Sequence, residues 1–558
     1  MSGLLHVKIR SIYPALALLW LCSSPLESAV VAESKSGVVV AGAMEAAQAG
    51  VEILRQGGSA ADAAVAVSLS LTVAEPFNSG IGGKLVGLYY DKASGQAWFV
   101  DGLGKSPMNL SVDELRSGPK DQRERGYRSV CVPGTVAALE LMHQRWGKLP
   151  WKQCAQPAVA LAEEGFKVPA KQLFVFEDKI DVVRPDAEAM KIYFPGDRVP
   201  SEGTLLGNPD LARVMATLRD EGPRAFYQGW IADKIVEASQ NAGGWLQKKD
   251  FEDYRAEVSE PLRVDYRGHT VATAPPPLTG GAIMATALKA GEDLEPLQTG
   301  PDSAARIGAA ARVFRVVYPR VARTAGDHPQ SRGDVEHLLA ARQIADLRAE
   351  IQGRAGQTPQ PFESDGGETS HFIVVDEAGN IACITQSLSL HFGAAVVPPG
   401  TGILLNNDIS NFGYHRPTSI NFVAPGKKPR STITPAIVFK EGNPVLALGA
   451  PGGQRIPSGV YQVLTGVVDH GQTLEDAIDS PRFHLVRPTT SRDPDNELQI
   501  EAGADPSVAD GLAKDGWDVR EKRRESYHFA AVNGVAIGAD GTRTAVGDER
   551  RTNHALAQ

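Results

Sequence analysis

The stretch ETSHFIVVDEAGNIACITQS, residues 368–387, carries two apolar runs on either side of an Asp-Glu-Ala-Gly-Asn cluster. The runs are rich in β-branched and apolar side chains, and the cluster between them is typical of a tight turn. The pattern therefore predicts a β-hairpin centred on Ala378. In that register Thr369 stands opposite Ser387, and directly opposed residues of an antiparallel pair have Cβ atoms about 4.5–5.5 Å apart.

The pairing of Thr369 with Ser387 brings two hydroxyl groups together at the open end of the hairpin. The preceding residues 354–367 have a turn-forming, flexible composition. Two interpretations follow: a nucleophilic site beside a flexible linker, or a cross-strand hydroxyl pair without chemistry. Because such pairs are common in sheets, the geometry alone favours the second interpretation.

The rest of the chain divides into a helix-rich part and a strand-rich part. Apolar periodicity and capping residues predict helices at 42–56, 60–74, 135–165, 207–241, 282–290 and 335–353, with a hairpin at 85–90 and 96–101. After the linker, strands are predicted at 369–375, 381–387, 402–405, 435–440 and 444–448, and helices return near 458–469 and 507–516. This order indicates a layered α/β or α+β fold.

The composition is that of an ordinary globular protein: 558 residues, 42% hydrophobic and 22% charged. It excludes a disordered chain, a collagen-like repeat and a multi-span membrane protein. The net charge of −9 does not favour binding to nucleic acid or to an anionic membrane. The four cysteines lack CxxC spacing, the twelve histidines lack short ligand spacing, and neither HExxH nor GxSxG occurs. We therefore predict no metal and no cofactor.

The N-terminus has the pattern of an export signal. Lys8 and Arg10 precede an apolar stretch that is too short to span a bilayer comfortably, and small residues follow. We predict a cleaved signal peptide at residues 1–32 and export to the periplasm or the medium; an uncleaved anchor or a disordered leader is the alternative. Export permits a disulfide between Cys131 and Cys154, although buried free thiols are the favoured state.

Beyond the hairpin, a series of short motifs recurs in order along the chain, and through them the chain resembles the γ-glutamyltransferases, which are N-terminal-nucleophile hydrolases. The resemblance runs from about residue 36 to Arg551. The matching motifs are GGSAADAA (57–64), EP (75–76), SGIGG (79–83), VPGT (132–135), TSH (369–371), VVDEAGN (374–380), FG (392–393), GILLNN (402–407), PRST (429–432) and PGGQRI (451–456).

The resemblance implies an α+β fold, a four-layer αββα sandwich, and a precursor that cleaves itself between Glu368 and Thr369. The large chain would comprise residues 33–368 and the small chain residues 369–558, held together as a heterodimer. The new α-amine of Thr369 would take the proton from its own hydroxyl, so one residue supplies nucleophile and base. The reference pKa of an α-amine, near 7.7–8.0, suits a base at neutral pH.

Further site residues carry over by the same resemblance. Ser387 aligns with a threonine that contacts the nucleophile, and the N–H groups of Gly452 and Gly453 align with the oxyanion site. Glycines there let the backbone approach a tetrahedral intermediate closely. Substrate contacts are implied at Ser389, Asp408, Asn411, Ser431 and Thr432.

The donor pocket departs from the family pattern at two charged positions. Leu103 stands in place of the arginine that binds the glutamyl α-carboxylate, with Lys105 two residues further on as its candidate substitute. The neutral Asn411 stands in place of the acid that pairs with the α-ammonium. The loop 413–427 is short, which indicates that the lid of several relatives is missing, and Lys84 departs from a glycine run of the relatives.

These features predict an exported, self-processing amide hydrolase or acyltransferase of γ-glutamyltransferase type. It would cleave small γ-glutamyl or related acyl-amide substrates through an acyl-enzyme on Thr369. Two alternatives stay open: a glutaryl or cephalosporin-acylase type of amidohydrolase with little glutathione activity, and a self-processed relative without catalysis. We expect no nucleic-acid partner and no membrane span in the mature protein.

Overall fold

The computed structural model describes residues 30–353, 368–488, 494–524 and 527–558. The strands in these ranges are β1 (Val30–Ser34), β2 (Val38–Ala41), β3 (Lys84–Asp91), β4 (Gln96–Gly102), β5 (Phe166–Lys167), β6 (Leu205–Leu206), β7 (Glu257–Ser259), β8 (Leu262–Tyr266), β9 (His269–Thr273), β10 (Glu368–Val375), β11 (Ile381–Ser389), β12 (Ala436–Lys440), β13 (Asn443–Gly449), β14 (Phe483–Leu485), β15 (Glu497–Glu501), β16 (Asp518–Lys522), β17 (Asn533–Ile537), β18 (Arg543–Gly547) and β19 (His554–Ala557).

The helices follow the same chain order. They are α1 (Met44–Arg55), α2 (Ala60–Ala74), α3 (Val112–Ser117), α4 (Asp121–Glu124), α5 (Thr135–Trp146), α6 (Trp151–Glu164), α7 (Leu173–Val183), α8 (Ala187–Tyr193), α9 (Pro209–Glu221), α10 (Ala225–Gln228), α11 (Trp230–Asn241), α12 (Lys248–Asp253), α13 (Thr279–Gly291), α14 (Ala304–Thr324), α15 (Ser331–Leu338), α16 (Ala341–Gln352), α17 (Ile456–His470), α18 (Leu474–Asp479) and α19 (Pro506–Lys514).

Two seven-stranded sheets form the centre of the molecule. The first has the order β1-β18-β17-β13-β12-β9-β8, and the second has the order β19-β2-β10-β11-β3-β4-β7. All strand pairs within them are antiparallel. Both sheets thus mix strands from before and after the predicted cleavage site.

The side chains of each central strand alternate between two apolar layers. In β2, Val38 and Val40 pack in the core between the sheets, whereas Val39 and Ala41 pack against the helices outside. The hairpin strand β10 divides its apolar residues between the same two layers. Strands buried on both faces read as continuous apolar runs because successive side chains point in opposite directions.

Helices cover the outer face of each sheet. The core outside the second sheet includes α1, α2, α5, α6, α9 and α11, and the core outside the first sheet includes α13, α14, α16 and α17. The predicted four-layer αββα sandwich is therefore confirmed. The α2 helix is buried along its whole length, and Ser59 and Asp62 form a capping box at its start.

Several predicted elements have different bounds in the structure. Residues 402–405 form no strand, and the helical segment 135–165 breaks into α5 and α6 at Gly147–Pro150. Cys131, Cys154 and Cys383 are buried free thiols, so the favoured state is the observed one.

Of the predicted signal peptide, residues 1–32, the structure describes only residues 30–32. Residues 1–29 and the linker 354–367 lie outside the described residues. Val30, Val31 and Ala32 pair with β18 as part of β1, so a cut after Ala32 would divide that strand. The boundary of the signal peptide stays a prediction. Among the described residues, no helix combines the length and apolarity needed to cross a membrane.

Candidate active site

The hairpin of β10 and β11 has the predicted register except at its open end. Its pairs run from Val375 with Ile381 to Ser370 with Gln386, which centres the turn on Ala378. A bulge between Glu368 and Ser370 then shifts the last pair by one residue. The bulge lies on β11, where Ser387 and Leu388 together face the single residue Thr369, and a bulge re-aims the side chains beside it.

The Ser387 hydroxyl contacts the carbonyl group that precedes the predicted nucleophile. Its Oγ donates to the Glu368 carbonyl oxygen at 2.6 Å and accepts from the Ser389 N–H at 2.9 Å. The Thr369 side chain is buried, 3% exposed, and its Oγ1 has no hydrogen-bond partner in the described chain. The bulge thus corrects the simple hydroxyl pair: Ser387 is directed at the Glu368–Thr369 peptide bond.

The Glu368 side chain is held on the other side of this bond. Arg551 donates from Nη2 to its carboxylate, and His391 Nε2 lies 4.0 Å away. Burial would raise the pKa of the Glu368 carboxyl, but Arg551 and His391 together hold it below its usual value. Burial lowers the pKa of His391 to about 4, so this imidazole is neutral at pH 7. The residue before the predicted cut is therefore an anchored anion.

A buried network orients the residue that follows the nucleophile. The Ser370 hydroxyl donates to the Glu75 carboxylate and lies 2.8 Å from the Ser79 hydroxyl. Asn78 Nδ2 also donates to Glu75, at 2.8 Å. Burial raises the pKa of the Glu75 carboxyl to about 7 despite these two donors. The sequence alone predicted no role for Glu75, although Glu75-Pro76 is one of the motifs that the chain shares with the family.

His371 is not a catalytic base, although it lies two residues from the nucleophile. Its ring is buried between the sheets, and Nδ1 lies 2.8 Å from the Thr385 hydroxyl. Burial lowers its pKa to about 3, which keeps the ring neutral. This leaves the α-amine that cleavage would create as the base within reach of the threonine hydroxyl.

The two predicted oxyanion glycines differ in their surroundings. Gly453 has φ +56° and lines the same cavity as Thr369, and its carbonyl accepts a hydrogen bond from Thr432 Oγ1 at 2.8 Å. Gly452 has φ +136°, and a Cβ at that position would lie 2.8 Å from the Ala530 Cα. Both backbone conformations favour glycine. The oxyanion role itself stays a prediction.

The predicted donor residues converge on one narrow cavity. It is lined by Lys84, Thr369, Ser387, Ser389, Asn411, Ser431, Thr432, Ile433, Gly453 and Ile456. A wider cavity of about 570 Å³ opens on the Glu368 side of the peptide bond and shares Gly453 with the first. The cavity at Thr369 has a volume of only about 10 Å³, roughly room for one water, so only the Glu368 side adjoins a wide space.

Three predicted binding residues do not line this cavity: Asp408, Leu103 and Lys105. Leu103 is fully buried in the core between the sheets, and its carbonyl accepts from the Tyr254 hydroxyl. Lys105 does not line the cavity; its Nζ lies 3.6 Å from Glu257 at the surface. The expectation that Lys105 replaces the missing arginine is therefore corrected, since an isolated bridge to Val132 and the Glu257 contact turn it away.

The cation of the cavity is Lys84, whose role the sequence did not reveal. Its Nζ donates to Ser389 Oγ at 2.7 Å and forms an ion pair with Asp408 Oδ1. Ser389 has φ +80° and also accepts from Asn411 Nδ2 at 2.9 Å, so its hydroxyl joins the loop to β11. The one feature of the sequence that could have indicated this role is the position of Lys84, directly after the glycine-rich segment 79–83 and at the start of an apolar run.

One other cluster has the composition of a metal site. Ligand atoms of Asp62, His143 and Cys154 lie within 4.8 Å of one another. They are engaged with the protein, however: Asp62 Oδ2 accepts from the Ser59 N–H at 2.9 Å, and His143 Nε2 lies 2.8 Å from the Leu149 carbonyl oxygen. The cluster anchors the start of α2, and the expectation of no metal and no cofactor stays a prediction.

Comparisons with known proteins agree on the family. The sequence profile described as Gamma-glutamyltranspeptidase matches residues 46–558. The glutathione hydrolase proenzyme of Pseudomonas sp. strain A14 is 31% identical over 470 residues, covering 81% of this chain and 82% of that protein. The acylase ACY 1 proenzyme of Pseudomonas sp. strain V22 is 31% identical over 530 residues, 92% of each chain. The crystal structure of cephalosporin acylase from Bacillus halodurans superimposes with a TM-score of 0.86 at 28% identity, covering 95% of this chain and 97% of that one.

Proposed function

The chain belongs to the γ-glutamyltranspeptidase family, and on that premise we propose that it is a self-processing amide hydrolase or acyltransferase that works through an acyl-enzyme on Thr369. The observation that carries the proposal is the arrangement at one peptide bond. Ser387 donates to the Glu368 carbonyl oxygen at 2.6 Å, while the buried Thr369 hydroxyl next to it has no partner in the described chain. A donor on the carbonyl and an unengaged nucleophile are the two requirements for attack on that carbonyl.

Processing would begin when Thr369 Oγ1 attacks the Glu368 carbonyl carbon. The Ser387 hydroxyl stabilises the oxyanion that forms. The Oγ1 proton passes to the Thr369 nitrogen, the C–N bond breaks, and the nitrogen leaves as the free α-amine while the Glu368 acyl group becomes an ester on Oγ1. Water hydrolyses this ester, which frees the Glu368 carboxylate and the Oγ1 hydroxyl of Thr369. The Arg551 contact holds Glu368 still during these steps.

Turnover would use the same hydroxyl on an external amide. The α-amine takes the Oγ1 proton, the oxygen attacks the substrate carbonyl, and the amine of the substrate leaves with that proton. The acyl group then passes to water or to an acceptor amine. Burial lowers the pKa of His371 to about 3 and that of His391 to about 4, which makes both imidazoles weak bases and supports a base supplied by Thr369 itself.

The sheet topology supports a stable heterodimer of residues up to 368 with residues 369–558. In the second sheet, β10 and β11 of the small chain lie between β2 and β3 of the large chain. In the first sheet, β9 of the large chain pairs with β12 of the small chain. Separation of the chains would break both sheets and expose the core between them. Export, with removal of the signal peptide, completes the proposal.

The decisive experiment is mass spectrometry of the purified protein and of Thr369→Ala. The native chain should give two fragments that divide between Glu368 and Thr369 and co-elute in gel filtration. Thr369→Ala should remain one chain and hydrolyse no acyl-anilide, since it lacks the nucleophile for both steps. A fully active, uncleaved native protein would contradict the mechanism. A cleaved protein that is inactive on every acyl-amide would favour a self-processed relative without catalysis.

A further inference from the structure

We propose that Lys84 binds a carboxylate at the far end of the acyl chain, and that the preferred donor is a monoamide of a dicarboxylic acid without an α-ammonium group. The inference rests on the proposed function, because it concerns the acyl group that Thr369 receives. It adds a binding residue and a substrate class to that function.

The strand register places Lys84 beside the reacting groups. Lys84 begins β3 and pairs directly with Ser387 of β11, so the two side chains share one face of the sheet. Thr369 follows on the neighbouring strand β10. Lys84 is 2% exposed and lines the cavity that contains Thr369. An ammonium group therefore stands in the donor cavity, in the same row of the sheet as the nucleophile.

This ammonium group has one donor to spare for a ligand. A lysine ammonium carries three N–H donors. Within the described chain, two of them are used, by Ser389 Oγ at 2.7 Å and by Asp408 Oδ1. Both partners approach from the loop and the end of β11, and Lys84 still borders the cavity. The third N–H suits an anionic oxygen, since charge-assisted hydrogen bonds are the stronger ones.

Asp408 balances Lys84 without offering a negative charge to the ligand. Its side chain is fully buried and does not line the cavity. Its Oδ2 has no hydrogen-bond partner among the described residues and would lie 2.8 Å from a Cβ built on Gly104, which does not line the cavity either. The nearest polar group in the cavity is the neutral Asn411 amide, which already donates to Ser389. An α-ammonium group would find no anion there.

Ser431 supplies a second donor for the same carboxylate. Its Oγ accepts from the Ile433 N–H at 3.4 Å, which leaves the hydroxyl hydrogen available to the cavity. The Thr432 hydroxyl is engaged, because it donates to the Gly453 carbonyl at 2.8 Å. One ammonium and one hydroxyl donor suit a carboxylate, and the missing anion disfavours a zwitterion. Glutaryl amides have this chemistry, whereas γ-glutamyl amides add the unpaired charge.

Three p-nitroanilides that differ by one group test the inference. Glutaryl, pentanoyl and γ-glutamyl anilides share the amide and the chain length; the second lacks the terminal carboxylate and the third adds the α-ammonium. The processed enzyme should show kcat/KM for glutaryl at least about tenfold above both others at pH 7. The double variant Lys84→Met with Asp408→Asn removes both buried charges together. It should lower the glutaryl-to-pentanoyl ratio by about 10- to 150-fold, the effect of one charge-assisted hydrogen bond.

Matched variants separate binding from a merely structural role. Lys84→Arg keeps the charge and should retain most of the ratio, and Lys105→Met, a lysine outside the cavity, should leave the ratio unchanged. A wild-type ratio near one would overturn the inference, as would equal losses for glutaryl and pentanoyl in the double variant. The wild-type ratio and the ratio of Lys84→Arg test the inference even if the double variant folds poorly, and equal losses in the double variant count only when its circular dichroism matches the wild type.

Binding by calorimetry keeps this inference distinct from the proposed function. If the processed protein hydrolyses no anilide, the proposed function fails. Glutarate should still bind the wild-type protein more tightly than pentanoate, and Lys84→Met with Asp408→Asn should remove the difference. Equal affinity for the two acids would refute the role of Lys84, whatever the turnover.

Discussion

Replacing Ser387 by alanine removes the hydroxyl that donates to the Glu368 carbonyl at 2.6 Å. A pair of neutral hydroxyls would predict a loss of about 0.5–1.5 kcal/mol, or a two- to tenfold effect on cleavage and turnover alike. The structure predicts more for cleavage, because the acceptor is the reacting carbonyl oxygen and gains negative charge during attack. Loss of one such donor costs about 10²–10³ in rate.

The two reactions should therefore separate in this variant. In turnover the Glu368 carbonyl no longer occupies the site, so we expect the smaller, two- to tenfold loss. Cleavage is followed by gel and intact mass after cell-free synthesis, and turnover by anilide hydrolysis with the fraction that has matured. Ser387→Thr should restore cleavage, because it returns a hydroxyl at the same position.

A control removes a hydroxyl-to-carbonyl bond of similar length elsewhere. Ser129 Oγ donates to the Gly126 carbonyl at 2.7 Å, and Ser129→Ala should cleave at the wild-type rate. Cleavage of Ser387→Ala within about tenfold of wild type would refute the assignment of Ser387 to the scissile carbonyl.

Two further variants test the electrostatics around the nucleophile. Burial raises the pKa of the Glu75 carboxyl to about 7, so between pH 4.5 and 7 the folded state keeps a proton that the unfolded state has lost. The free energy of unfolding should therefore fall by about 3 kcal/mol as the pH rises through that range. Glu75→Gln should flatten this slope in urea unfolding at pH 5 and pH 8, and equal slopes would contradict the assignment. Leu103→Arg should lower the melting temperature and should not improve γ-glutamyl hydrolysis, because it buries an unpaired guanidinium between the sheets; a stable variant with faster hydrolysis would show that position 103 reaches the cavity.

The layers and the hairpin could be predicted from local sequence. The turn cluster around Ala378 sets the pairing of β10 with β11, and the observed pairs from Ser370 to Val375 keep that register. Helix α2 was predictable because Ser59 caps it and glycines end the helix before it. Such features depend on neighbours within a few residues, where propensity and capping act directly.

The last pair of the hairpin was not predictable in this way. A bulge at Ser387 and Leu388, opposite Thr369, replaces the expected hydroxyl pair with a contact between Ser387 and the Glu368 carbonyl. The same holds for the strand predicted at 402–405, where only Leu405 exchanges backbone hydrogen bonds, with Ala394 and Val396, and no regular strand forms. Bulges and ladders need a second strand, and that strand comes from elsewhere in the sequence.

The charges of the donor cavity were decided by the tertiary structure alone. Leu103 and Asn411 already indicated in the sequence that two family charges are absent, and the motif order predicted Thr369 as the nucleophile. Lys84 supplies the cation of the donor cavity, although it lies 285 positions before Thr369 in the chain. The sequence did not show this, because the two residues come together only when β3 pairs with β11. Local sequence determines which side chain is present and whether its segment forms a strand. The partners of that side chain depend on which strands lie next to each other, because a charge interacts strongly only with groups within a few ångströms.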